Sequence, residues 1–203
     1  MIPTRFLTHV GFILYQRIYW TGECKGRDYH NAMSVGARVY IDQDTEYSAD
    51  PRDYPDGWPT HCDKCGLEIP AQTAPHQILK RDLYQAPDGG EFTTDTAEPG
   101  DLLYVECWKG YGESCPYSWT NCAGYHLYCV LPTGRHWVID SRAQNCTMPQ
   151  DKEHRCWVRH GDPENGDVVH VDKLGHTCGA GAGSIAVEGY HGFLHNGSLT
   201  DNL

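Results

Sequence analysis

Apolar and β-branched residues recur along this chain mostly in short alternating runs bounded by glycine, proline and aspartate, the spacing of strands rather than helices. Residues 6–19 are rich in β-branched and aromatic side chains and predict one or two strands. Residues 37–41 (ARVYI) predict another. Residues 78–85 and 91–96 flank Pro87-Asp88-Gly89-Gly90 and predict a hairpin. A Glu-Pro-Gly-Asp turn at 98–101 leads into a strand at 102–105, and residues 126–131 and 136–140 flank Pro132-Thr133-Gly134 as a second hairpin. Residues 155–159 and 168–172 complete the set of expected strands, while 46–60, with three prolines and a Pro-Asp-Gly turn, reads as a surface loop. One helical segment is expected, within 73–83. The fold class expected is therefore mainly β, irregular, with little helix.

Composition explains why such a chain needs help to fold. Leu, Ile, Val and Phe together make up 36 of 203 residues, a thin aliphatic supply that with a net charge of −11 would ordinarily suggest disorder. Against disorder stand 6 Trp, 13 Tyr and 10 Cys. The economical reading is a folded chain with a small core cross-linked through sulfur, by metal ions or by disulfides. Cysteine and histidine usage rises after residue 98, with seven of the cysteines beyond it. That shift places a soft boundary between an N-terminal loop-rich β region, 1–97, and a C-terminal Cys/His-rich β region, 98–203.

Function classes narrow in the same way. No run approaches the roughly 18 apolar residues of a membrane-spanning helix, because residues 10–20 are interrupted by Gln16 and Arg17. The N-terminus lacks the cleavage pattern of a signal peptide. The expectation is thus no membrane association, no secretion through a signal peptide, and a reducing compartment where paired cysteines bind metal. Asn145-Cys146-Thr147 and Asn196-Gly197-Ser198 match glycosylation sequons and are taken as coincidences in that setting. The acidic balance and the lack of a Lys/Arg cluster argue against nucleic-acid binding, and a protein partner is expected instead.

The sharpest chemical signal is His61-Cys62-Asp63-Lys64-Cys65-Gly66. Cys-x-x-Cys-Gly is the shape of a zinc knuckle, whose tight turn aims two thiolates at one tetrahedral ion. A redox pair or a disulfide is the alternative, but the polar lead-in and nearby Pro70 favour zinc. A closed site needs two further ligands. Cys24, in its own glycine-bounded turn, is the expected third, with His30, Cys107 or His61 as the fourth. A second candidate set is Cys115, Cys122 and His126, in which Cys122 and His126 have common ligand spacing. Cys129 alternates with Leu127 and Leu131 and reads as a buried core thiol. A third group comprises Cys146, Cys156, Cys178 and His191; in a strand, His154, Cys156, Val158 and His160 would share one face, suiting a metal site or a solvated sheet face equally. The small-residue run at 179–183 could let backbone N–H groups cradle an anion beside Cys178 or Ser184, with His191 as base. The plainer reading is a small-residue strand packed on a tryptophan. Asp140-Ser141-Arg142 could supply an orienting carboxylate and a substrate-binding arginine, on a three-residue match.

Four stretches resemble uncharacterised proteins of tailed phages: Pro99-Gly100-Asp101-Leu102-Leu103-Tyr104, WTNCAGYHL at 119–127, HRCWVRHG at 154–161, and YHGFLHNG at 190–197. The chain is also similar to a zinc-containing peptidase-like family found in bacterial ubiquitin-like conjugation operons. That similarity lies in the Pro-Gly-x-Leu-Tyr strand, the cysteine-rich turn from Cys115 to Cys122, Ser184-Ile185, and His191 with Phe193 and Gly197. The insertion from Ser141 to Cys178 has no counterpart there. These resemblances imply zinc, a phage or bacterial source with the host cytoplasm or the virion as location, and some inclination to hydrolysis. The leading expectation is a non-catalytic zinc-binding accessory or interaction protein. The alternative is a hydrolase using Cys178 or Ser184 with His191.

Overall fold

The computed structural model describes residues 1–20, 24–40, 60–69, 76–106, 125–139, 141–143, 145–148, 150–151, 154, 156–172 and 184–200. Fourteen strands occur there: β1 Ile2–Pro3, β2 Arg5–Tyr19, β3 His30–Tyr40, β4 His76–Gln85, β5 Glu91–Phe92, β6 Asp101–Glu106, β7 Tyr125–Val130, β8 His136–Val138, β9 Val158–His160, β10 His170–Asp172, β11 Ile185–Val187, β12 Tyr190–Gly192, β13 Leu194–His195 and β14 Ser198–Leu199. The helical content among the described residues is one 3-10 turn, Pro163–Asn165, capped by the Asp162 side chain. The mainly β expectation therefore holds. Among the described residues no helix is long and apolar enough to cross a membrane.

The chain forms two compact units. One contains residues 9–85 and 91–95; the other contains 1–8, 86–90 and 96–203. The first eight residues thus belong with the C-terminal unit, because β1 pairs with β14 (Ile2 opposite Leu199) and residues 5–7 of β2 lie parallel to β6.

In the 9–95 unit, β2 is flanked by β3 and β4. Residues 6–19 prove to be part of one long strand. It pairs antiparallel with β3 from Gly11 opposite Tyr40 to Tyr19 opposite His30, with a register shift between Leu14 and Gln16. The helix expected within 73–83 is not formed from residue 76 onward: those residues are β4, which closes the expected hairpin with Tyr84 opposite Phe92. Pairing with β2 on one side and β5 on the other overrides the weak helical signal of Gln, Leu, Lys and Arg. Among the described residues the buried apolar side chains here are Phe12, Ile18, Ala32, Ile69, Leu83 and Tyr84, joined by Cys24 and Cys62. Arg17 is fully buried and donates to the Ile69 carbonyl at 3.4 Å, and burial pushes its pKa down. The thin aliphatic core read from composition is concentrated in this unit.

Among the described residues the C-terminal unit has the larger core. β6, β7 and β8 form an antiparallel meander, with Leu102 opposite Cys129 and Cys129 opposite Trp137. Leu127, Cys129 and Leu131 are all fully buried. Trp137 and Trp157 meet edge to face at 5.5 Å within the same cluster, together with Ile139, Val169, Val171, Ile185, Tyr190 and Leu194. Gly100 turns the chain into β6 at φ 96, where a Cβ would stand 2.5 Å from the Pro3 carbonyl oxygen, so only glycine fits. Just after it, the buried Asp101 carboxylate takes two hydrogen bonds from Arg5, 2.9 Å from Nε and 3.1 Å from Nη2, and a third from the Glu98 N–H at 2.8 Å.

Candidate metal centre

Two turns in the 9–95 unit bring cysteines together. In the first, Cys24 and Arg27 exchange both backbone hydrogen bonds, at 2.8 and 3.0 Å, around Lys25 and Gly26, which both have positive φ. That is the geometry of a two-residue hairpin loop. In the second, the Cys62 N–H donates to the Leu67 carbonyl at 2.8 Å, and the Gly66 N–H returns to the Cys62 carbonyl at 2.9 Å, with Gly66 at φ 73. His61 and Glu68 close this loop by a bridge. The Lys25 ammonium donates to the Lys64 carbonyl, and the Asp63 N–H donates to the Asn31 carbonyl at 2.8 Å, so both turns and the start of β3 are tied.

The result is one cluster. The ligand atoms of Cys24, His30, Cys62 and Cys65 all lie within 4.8 Å of one another. Cys24 Sγ is 3.6 Å from Cys62 Sγ, and His30 Nδ1 is 3.2 Å from Cys65 Sγ. On a tetrahedral ion with the usual zinc bond lengths, two sulfurs stand about 3.8 Å apart and a sulfur–nitrogen pair about 3.5 Å. The observed separations are close to both. Cys24, His30 and Cys62 are buried and Cys65 is exposed. The His30 ring enters from the first residue of β3, opposite Tyr19. His30 rather than His61 is the fourth donor: His61 is exposed and its Nδ1 faces the Thr60 hydroxyl at 2.8 Å.

Electrostatics favour a thiolate in this cluster. Burial raises the Cys62 thiol, but backbone hydrogen bonds from Asn31, Lys64 and Cys65 and the His30 side chain outweigh it and hold the thiol at about 6. Cys24 moves the other way, pushed up to about 11 by burial first and then by the neighbouring Cys62 and Cys65 sulfurs. Three sulfurs this close cannot all ionise without a cation between them, and a bound metal supplies that charge. These residues can therefore hold a metal ion.

The remaining sequence candidates are distributed differently. Cys107, Cys115, Cys122 and Cys178 lie outside the described residues, as does the small-residue run at 179–183. His126 is buried on β7 opposite Val105 and belongs to neither converging ligand group among the described residues. Ser184 and His191 are brought together: Ser184 Oγ is 3.1 Å from His191 Nε2. His191 stands opposite Ala186 in the β11–β12 hairpin, so the pair occupies diagonal positions on one face. Ser184 also lines a cavity of about 540 Å³ with Ser141, Arg142, Trp137 and Trp157. Its backbone carbonyl accepts from the Trp157 indole at 3.3 Å. Arg142 donates to the carbonyls of Met148 and Asp151 and also lines the cavity.

The shared strand face expected for His154, Cys156, Val158 and His160 does not form, because the strand begins only at Val158. His160 instead faces Asp172, with Nε2 3.2 Å from Oδ2. His154 and Cys156 turn inward and meet Cys146, the three ligand atoms lying within 4.8 Å of one another. This second group is carried by a His-x-Cys spacing with a cysteine eight residues before the histidine, which spacing alone does not distinguish from chance. Comparison with family models, with curated proteins and with solved structures returned no match, so the converging side chains themselves carry the functional argument.

Proposed function

We propose that this chain is a zinc-binding accessory or interaction protein in which Cys24, His30, Cys62 and Cys65 form a closed structural site. The observation that carries this is the convergence of four donor atoms within 4.8 Å of one another, in the unit with fewer buried apolar side chains among the described residues. Three thiolates and one imidazole suit zinc better than a hard cation, and four protein ligands leave no position for substrate on the ion. Zinc here would supply the cross-link that the aliphatic content lacks. Beside the site, exposed Trp20 lies 5.2 Å from the Tyr29 ring, over which the Arg27 guanidinium sits at 5.4 Å; aromatic and arginine side chains of this kind favour a protein partner. The resemblance to tailed-phage proteins supports a phage source, with the host cytoplasm or the virion as its location. The test is metal analysis of protein purified without added zinc, beside Cys62→Ser. One equivalent lost in the variant supports the site, and unchanged stoichiometry removes it.

A second reading, hydrolysis, is favoured by one observation, the 3.1 Å contact of Ser184 Oγ with His191 Nε2 at the edge of a cavity. A serine needs such a base to become nucleophilic. The accessory reading is preferred because diagonal neighbours of a two-stranded hairpin lie within reach of a ring as long as histidine's, so strand pairing alone accounts for the contact. Labelling of Ser184 by a fluorophosphonate probe, abolished in His191→Ala, would reverse that preference.

A further inference from the structure

We propose that Cys146, His154 and Cys156 form a second metal site, in the C-terminal unit, for a thiophilic divalent ion of the zinc class. Three observations converge on it. The ligand atoms of the three residues lie within 4.8 Å of one another. The His154 Nε2 to Cys156 Sγ separation is 3.6 Å, close to the roughly 3.5 Å of a sulfur and a nitrogen on one tetrahedral ion. His154 is 0% exposed, and its Nδ1 is buried with no hydrogen-bond partner among the described residues. An imidazole removed from water is costly unless both its nitrogens are engaged. Nε2 is the nitrogen that faces Cys156 Sγ, and an ion between the two would bind there; Nδ1 has no hydrogen-bond partner among the described residues and is not the coordinating atom.

The local chain is built to present these groups. The Cys146 N–H donates to the Ala143 carbonyl at 3.0 Å, and Arg142 clasps the carbonyls of Met148 and Asp151, tying these described residues together. The His154 N–H donates to the Asp151 carbonyl at 3.3 Å and to Asp151 Oδ1 at 3.2 Å, which sets the ring's point of entry. Cys156 is buried in the C-terminal core beside Trp157. The ion would therefore pin these residues to the tryptophan cluster. Among the described residues three ligands converge here, against four in the cluster of the other unit.

The experiment measures zinc equivalents per chain in the wild-type protein, Cys146→Ser, Cys62→Ser and the double variant, with circular dichroism to verify folding. The proposal expects one equivalent lost in Cys146→Ser whatever happens in Cys62→Ser. Loss on Cys146→Ser with no loss on Cys62→Ser would keep this site and overturn the four-ligand one. Loss on Cys62→Ser with no loss on Cys146→Ser would do the reverse. Should Cys146→Ser fail to fold, thiol footprinting of the wild-type protein decides. Cys146 is only half-buried, so without a metal iodoacetamide reaches it in the folded state. Protection of Cys146 in zinc-loaded protein, released by a chelator, supports the site; equal labelling before and after chelation overturns it.

Discussion

His30 Nδ1 stands 3.2 Å from Cys65 Sγ, although the two residues are 35 positions apart and belong to different elements, a strand start and a turn. Backbone pairing creates that meeting: β3 begins at His30, and the Asn31 carbonyl takes the Asp63 N–H, which sets the Cys62–Cys65 turn against the strand. Removing the ring should therefore act on the metal and not on the sheet. His30→Ala is expected to lower zinc affinity and melting temperature together in zinc, while the apo protein's melting temperature changes little. A large loss in the apo form would show the ring to be a packing element instead.

The Gly66 prediction separates backbone from coordination. A Cβ at this position meets no atom within 4 Å, yet φ is 73. Gly66→Ala should cost about 1 kcal/mol through the left-handed conformation alone, with metal stoichiometry retained. Denaturant unfolding with zinc present measures it, and a cost near zero would mean that the turn relaxes.

In the C-terminal unit the Asp101 carboxylate, buried and held by Arg5 and the Glu98 N–H, is the most consequential ion pair. Because Arg5 keeps 29% of its side-chain surface in water, Asp101→Ala should fall at the lower end for broken buried pairs, about 3 kcal/mol. Thermal or chemical unfolding tests this, and a loss below about 1 kcal/mol would place the pair with surface salt bridges.

Cys129 gives a pH dependence with a definite sign. Burial, then the Asp101 charge, pushes its thiol up from the ordinary 9.0 to about 12. A raised thiol pKa means that the folded state keeps a proton the unfolded chain releases. Its contribution to stability is present below about pH 9 and is lost as pH rises from there toward 12. Cys129→Ala should flatten the stability curve in that window, even if the cavity it leaves lowers stability throughout. Cys129 should also stay unlabelled by alkylating agents in the folded protein at neutral pH.

How much of this was legible in sequence follows from how local each feature is. The two hairpins around Pro87–Gly90 and Pro132–Gly134 depend on turn residues and alternating neighbours, which a sequence displays. The Cys62–Cys65 turn and its partner Cys24 were visible for the same reason. The strand at His76–Gln85 was legible from 78 to 85 as a hairpin arm, but an overlapping helix within 73–83 was expected as well, because the pairing with β2, some 70 residues away, does not show in the local sequence. His30 could be named only as one of three fourth ligands, since its choice depends on where β3 starts. The Cys146, His154 and Cys156 group was legible in part: Cys146 and Cys156 were grouped, and His154 with Cys156 suited a metal site or a solvated sheet face equally, but a strand expected over 155–159 gave no reason for His154 to meet Cys146.

The most direct test of the four-ligand site is X-ray absorption at the zinc edge on the Cys146→Ser variant, which removes the second proposed site from the average. The account predicts three sulfur neighbours at about 2.3 Å and one nitrogen at about 2.0 Å. A shell of oxygen and nitrogen alone, or protein that binds no zinc while remaining folded, would contradict it.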